Sequence, residues 1–178
     1  MRRSTVFSLF LVLLALLGHG VQGETLEENC QKIIKPNLSF DYCMKVFQTD
    51  PKSRNADLRG LGIISTKQII AKATYIKSYT QKLLDSQRKG GDIRYTRGLQ
   101  DCVEIYSQGL GDAYAALSGL ESKSYFESHN AMSSVFDAPS TCEDGFREFQ
   151  LKSPLMQLNN EFAELAAIPL HIVALLDI

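Results

Sequence analysis

The sequence predicts an all-α fold: an up-and-down four-helix bundle preceded by an N-terminal helical hairpin and pinned by two disulfides. Three observations carry this. Apolar residues recur at three- and four-residue spacing through the long segments. No stretch alternates Val, Ile or Thr with polar residues as a half-buried strand does. Four cysteines, Cys30, Cys43, Cys102 and Cys142, follow a secretory-type leader, and an even count in that setting points to disulfides.

The leader comes first. Arg2 and Arg3 precede an apolar run from Val6 to Leu17, and Gly18 to Gly23 ends in a small residue. That order is a signal peptide over residues 1–23, with cleavage after Gly23. The run is shorter than the roughly 20 apolar residues that span a bilayer. One domain follows, residues 24–178. It keeps 155 of the 178 residues, with 17 of the 19 Lys and Arg and all 20 acids, for a net charge of −3. That balance argues against nucleic acid or an anionic membrane as partner. On acidification the carboxylates protonate and the charge passes through zero, which relieves repulsion from an acidic partner.

The hairpin is expected over residues 24–49, with helices at about 26–34 and 40–47. Pro36 stops the first and Asp50-Pro51 the second. Its two cysteines favour the pairing Cys30–Cys43 with Cys102–Cys142 among the three possible. Asn37-Leu38-Ser39 beside Pro36 is the glycosylation sequon, with Asn37 as the acceptor position.

The first bundle helix is expected from about Asp57 to Asp85, with Asn55 as N-cap. Ile69, Ala73, Ile76, Thr80 and Leu83 form its inner face, and Gly60 and Gly62 permit close packing. Lys89-Gly90-Gly91 turns the chain and Asp92 caps the second helix. There Leu99, Cys102, Tyr106, Leu110, Ala113, Leu117 and Leu120 keep a seven-residue rhythm, as in a bundle seam. Ser124 and Glu127 have capping-box spacing for a third helix to about Phe136, which Ala138-Pro139-Ser140 breaks. Cys142 opens the last helical stretch. Ser153-Pro154 interrupts and restarts it, and Pro169 should kink it.

Catalytic and metal-binding patterns do not appear. The cysteines lack the two-to-four-residue spacing of a zinc site. No nucleophile elbow, His-Glu-x-x-His or calcium loop is present, and paired cysteines leave no thiol nucleophile. His129 lies among polar residues and His171 beside an apolar stretch, where it reads as structural. The acid pairs Glu27-Glu28 and Glu143-Asp144 read as solvated helix-end charges. The expectation is a protein that is not an enzyme and needs no cofactor.

Several blocks carry a family resemblance. They are Cys30-x12-Cys43, the run Asp50-Pro51-x-Ser53-x-x-Ala56-Asp57-Leu58-x-Gly60-Leu61, Leu99-x-x-Cys102-x-x-x-Tyr106, and Ala138 before Thr141-Cys142-Glu143-Asp144-Gly145-Phe146. Together they resemble the plant invertase/pectin methylesterase inhibitor family across the whole domain, most of all its invertase inhibitors of the plane-tree pollen allergen type. The resemblance implies a helical bundle with an N-terminal hairpin, sequential disulfides and one-to-one inhibition of a cell-wall enzyme. It also implies a monomeric protein of the apoplast. Invertase inhibitors of the family carry Pro-Lys-Phe near the start of the helix before the fourth cysteine, where it enters the enzyme's active site. The corresponding stretch here is Lys123-Ser124-Tyr125, which keeps a cation and an aromatic but lacks the proline and the adjacency. It is the candidate partner-binding segment, with a plain capped helix start as the competing explanation. A non-inhibitory secreted bundle that stores or carries a ligand is the alternative function.

Overall fold

The computed structural model describes residues 24–36, 38–87 and 90–178. The leader at 1–23, Asn37 of the sequon and Lys89 of the second turn lie outside the described residues. Among the described residues six α-helices follow one another: α1 Leu26–Ile33, α2 Phe40–Phe47, α3 Leu58–Gln87, α4 Ile93–Ser122, α5 Tyr125–Glu148 and α6 Met156–Leu176. A 3₁₀ turn, Pro51–Asn55, joins the hairpin to the bundle. The all-α bundle with its N-terminal hairpin is as the sequence predicts.

Local chemistry sets the ends of the hairpin helices. Thr25 Oγ1 accepts from the Glu28 N–H (3.2 Å) and Glu28 Oε2 from the Thr25 N–H (2.8 Å), a complete capping box for α1. Ser39 caps α2 by accepting from the Tyr42 N–H (3.2 Å). A disulfide joins Cys30 of α1 to Cys43 of α2, and both residues are buried.

The four long helices close a ring in which α3 packs on α4, α4 on α5, α5 on α6 and α6 back on α3. Ile69, Leu99, Tyr106, Met132, Phe146 and Phe162 fill its core with at most 1% exposure each. Burying such side chains is the main stabilising term in folding, at about 25 cal/mol per Å² of apolar surface. The second disulfide, Cys102–Cys142, ties α4 to α5 inside this core. A smaller cluster seats the hairpin on the bundle, with Leu26, Ile33 and Phe47 against Leu61, Ile168 and Ile172. Gly62 makes that junction tight, because a Cβ there would stand 3.0 Å from Ile172 Cγ2. Gly60 has a different neighbourhood, since its Cβ would meet Ala56.

Five local expectations are corrected. Asn55 does not cap α3; it ends the 3₁₀ turn, and Asp57 Oδ1 accepts from the Gly60 N–H (2.7 Å) instead. Ser124 precedes α5 but its hydroxyl makes no cap bond, because the turn is organised by the end of α4. Pro139 does not break α5, which runs unbroken from Tyr125 to Glu148. The proline is buried in the bundle, and just beyond it the Ser140 and Thr141 hydroxyls donate to the Asp137 carbonyl (2.9 and 3.0 Å). Packing on both sides outweighs the local penalty. Cys142 therefore lies within α5, and the last helix begins at Met156, after a turn in which Ser153 Oγ accepts from the Leu155 N–H (3.0 Å). Finally, Glu143 is no solvated end charge: its Oε1 accepts from Asn159 Nδ2 of α6 (2.5 Å).

Candidate functional site

One end of the bundle collects the start of α3, the end of α4, the start of α5 and the end of α6, and the hairpin lies against it. A groove of about 1310 Å³ opens there. Leu26, Met44, Phe47, Leu58, Tyr125 and Leu176 supply its apolar lining. Glu24, Glu27, Asp50 and Asp57 bring acids, and Arg54, Arg59 and Lys123 bring cations. A surface with an apolar floor and charges of both signs at its rim suits a protein partner.

The geometry of Lys123 follows from how α4 stops. The helix ends with Lys123 in the left-handed region (φ 64°, ψ 25°), and the Lys123 and Ser124 N–H groups both donate to the Gly119 carbonyl. Gly119 is required at this closure. A Cβ there would lie 2.8 Å from Ser128 Cβ, and Ser128 Oγ donates to the Ala116 carbonyl (2.8 Å). The turn is thus clamped to the bundle while Lys123 itself stays exposed.

Of the three residues singled out from the sequence, Lys123 and Tyr125 both line the groove. Ser124 is half-buried between them, and its Oγ accepts from Ser122 (3.2 Å). Tyr125 packs partly into the core. The next residue, Phe126, is 63% exposed and is the ring this turn presents to solvent. Sequence reasoning passed over Phe126 because it looked for an aromatic at a fixed place in a tripeptide. It also missed Arg54 and Arg59. Arg59 Nη1 donates to the Leu120 carbonyl at the end of α4 (3.4 Å), which ties the start of α3 to the same turn.

His171 joins the hairpin to α6. Its Nδ1–H donates to the Ile33 carbonyl (3.1 Å) at the end of α1. Burial, with Lys35 as a second contributor, holds its pKa below the ordinary imidazole range, against the pull of that hydrogen bond. The folded state therefore binds a proton less readily than the unfolded chain. The stability this residue contributes is present above about pH 6.5 and is lost as pH falls below it. Urea unfolding at stepped pH should show an acid-side loss beginning there, smaller in His171→Gln. A variant with the wild-type pH profile would remove His171 from that account.

The domain model of the plant invertase/pectin methylesterase inhibitors matches residues 24–172. The chain belongs to this family. The inhibitor-family match spans the hairpin, the groove lining except Leu176 and nearly all of the bundle. Among relatives, a Platanus acerifolia protein named "Putative invertase inhibitor" is 34% identical over 170 residues, covering 94% of this chain and 93% of its own. Pectinesterase inhibitor 12 of Arabidopsis thaliana is 30% identical over 168 residues, covering 93% and 92%. A crystal structure of a mutant pectin methylesterase inhibitor from Arabidopsis shares the fold with a TM-score of 0.67 at 23% identity, covering 82% of this chain and 92% of that one. Among the described residues of this inhibitor-family chain, no helix is long and apolar enough to cross a membrane.

Proposed function

We propose that the chain is a secreted protein inhibitor that binds one molecule of an acid invertase or a pectin methylesterase and blocks its cleft from the groove end of the bundle. The observation that carries this is the α4–α5 turn. It holds the Lys123 cation exposed, in a fixed left-handed conformation, beside Tyr125 in the lining of the hairpin groove, with the exposed Phe126 next in the same turn. A turn fixed before contact loses little conformational entropy on docking, so more of the contact energy appears as affinity. Membership of the inhibitor family and relatives named for both targets support the reading. The leader at 1–23 directs the protein to the apoplast or the vacuole, and Asn37 of the Asn37-Leu38-Ser39 sequon is the position for a glycan.

Charge reversal tests the turn. Lys123→Glu should weaken inhibition about a hundredfold, which corresponds to roughly 3 kcal/mol at an interface where a cation meets its partner. Lys123 is exposed, so the melting temperature should stay that of the wild type. An inhibition constant unchanged in Lys123→Glu would move the contact surface away from this turn.

A further inference from the structure

The long helix α3 carries a feature that the groove does not use. Tyr75 and Tyr79 stand one turn apart on its surface, 55% and 37% exposed. Their rings are stacked, with centroids 6.2 Å apart and planes inclined by 14°. Lys72 precedes and Lys82 follows at spacings of three, four and three residues, which places all four side chains along one stripe of the helix. From Lys72 to Lys82 the stripe runs ten residue steps, about 15 Å at the helical rise. Charge is also segregated. Helix α3 holds Arg59, Lys67, Lys72, Lys77 and Lys82 against Asp85 alone, in a domain whose overall charge is negative.

We propose that this stripe binds an anionic polysaccharide, a chain of pyranose rings bearing carboxylates. Flat aromatic faces left in solvent are platforms for rings with an apolar face, and stacking on them tolerates variation along a polymer. Two near-parallel platforms in sequence fit a repeating chain better than a compact ligand. Cations at both ends of the pair give the anionic polymer its preference over a neutral one. Lys72 Nζ already contacts Glu161 Oε2 of α6 (2.6 Å), with the two side chains 27% and 45% exposed. An ammonium has three donors and a partly exposed pair is held weakly, so a ligand carboxylate can share or displace Glu161. The stripe lies on the flank of α3, and none of its four residues lines the groove that holds Lys123. The proposal therefore stands apart from the inhibitory reading.

The test is calorimetric titration of the purified secreted protein with three oligosaccharides: an oligogalacturonate, its methyl ester and a neutral cello-oligosaccharide. The oligogalacturonate should bind at least tenfold more tightly than either uncharged chain and lose affinity as salt is raised. Y75A/Y79A and K72Q/K82Q should each lower that affinity about tenfold while leaving helical circular dichroism and enzyme inhibition at wild-type levels. Failure of the wild type to bind the oligogalacturonate would overturn the proposal, and so would equal binding of the neutral chain. Wild-type affinity in the variants would overturn it too. Loss of inhibition in Y75A/Y79A with glycan binding intact would reassign the stripe to the enzyme interface.

Discussion

Replacing Cys102 and Cys142 together by alanine is expected to lower stability by about 4 kcal/mol and the melting temperature by roughly 10 °C. The bond closes a loop of 40 residues, so the oxidised chain loses much of the freedom the unfolded state would otherwise have. It also ties α4 to α5 at a fully buried position, where Asn159 Nδ2 of α6 reaches Cys142 Sγ (3.4 Å). The hairpin bond differs in kind. Cys30–Cys43 closes only 13 residues, about 3 kcal/mol on the same entropic account, and it holds a unit that rests on α3 and α6 through a small cluster. Its removal should loosen the hairpin and leave the bundle to melt near its usual temperature. Urea and thermal melts of the two double variants check this. Equal bundle destabilisation by both, or none by the first, would contradict the assignment of the Cys102–Cys142 bond as the main clamp.

Asn159→Ala should cost about 3 kcal/mol, well above the effect of an ordinary surface amide. Asn159 is 1% exposed and bridges three helices. The Tyr106 hydroxyl of α4 donates to its Oδ1 (2.6 Å), and its Nδ2 donates to Glu143 Oε1 of α5 (2.5 Å). Alanine removes both partners at once. It leaves a fully buried tyrosine hydroxyl without an acceptor and a half-buried carboxylate without a donor. Burial, with Glu143 as a second contributor, holds the Tyr106 hydroxyl protonated far above the ordinary range, so it cannot adapt by ionising. Tyr106→Phe removes only one donor and keeps the ring's edge-on contact with Phe162 (5.4 Å), so it should cost about 1–2 kcal/mol. A double-mutant cycle between the two sites should show strong coupling. Additive effects would mean that the bridge does not act as a unit.

The sequence was most informative where one residue decides one local outcome. The seam of α4 is visible as the spacing from Leu99 through Tyr106 to Leu120, and Asp92 is recognisable as its cap because the side chain bonds the Arg94 N–H two residues on. It misled where packing outweighs propensity. Pro139 reads as a break, yet it is buried in the bundle and α5 continues through it from Tyr125 to Glu148. Ser124 and Glu127 have the spacing of a capping box, yet the left-handed Lys123 fixes the turn from the α4 side. The sequence was silent where partners lie far apart. Tyr106 and Asn159 are separated by 53 residues, and nothing in either neighbourhood announces the bond. The groove is of the same kind. Its walls come from the hairpin, the 3₁₀ turn, the start of α3, the α4–α5 turn and the end of α6, so Lys123 and Tyr125 were identifiable only through resemblance, while Arg54 and Arg59 were not.

The most direct measurement is a titration of the purified, disulfide-intact secreted protein against an acid invertase and a pectin methylesterase at acidic pH. The activity of one of the two enzymes should fall linearly to near zero at one inhibitor per enzyme, and Lys123→Glu should shift the curve to much higher concentrations. Full activity of both enzymes at an excess of the wild-type protein would contradict the account.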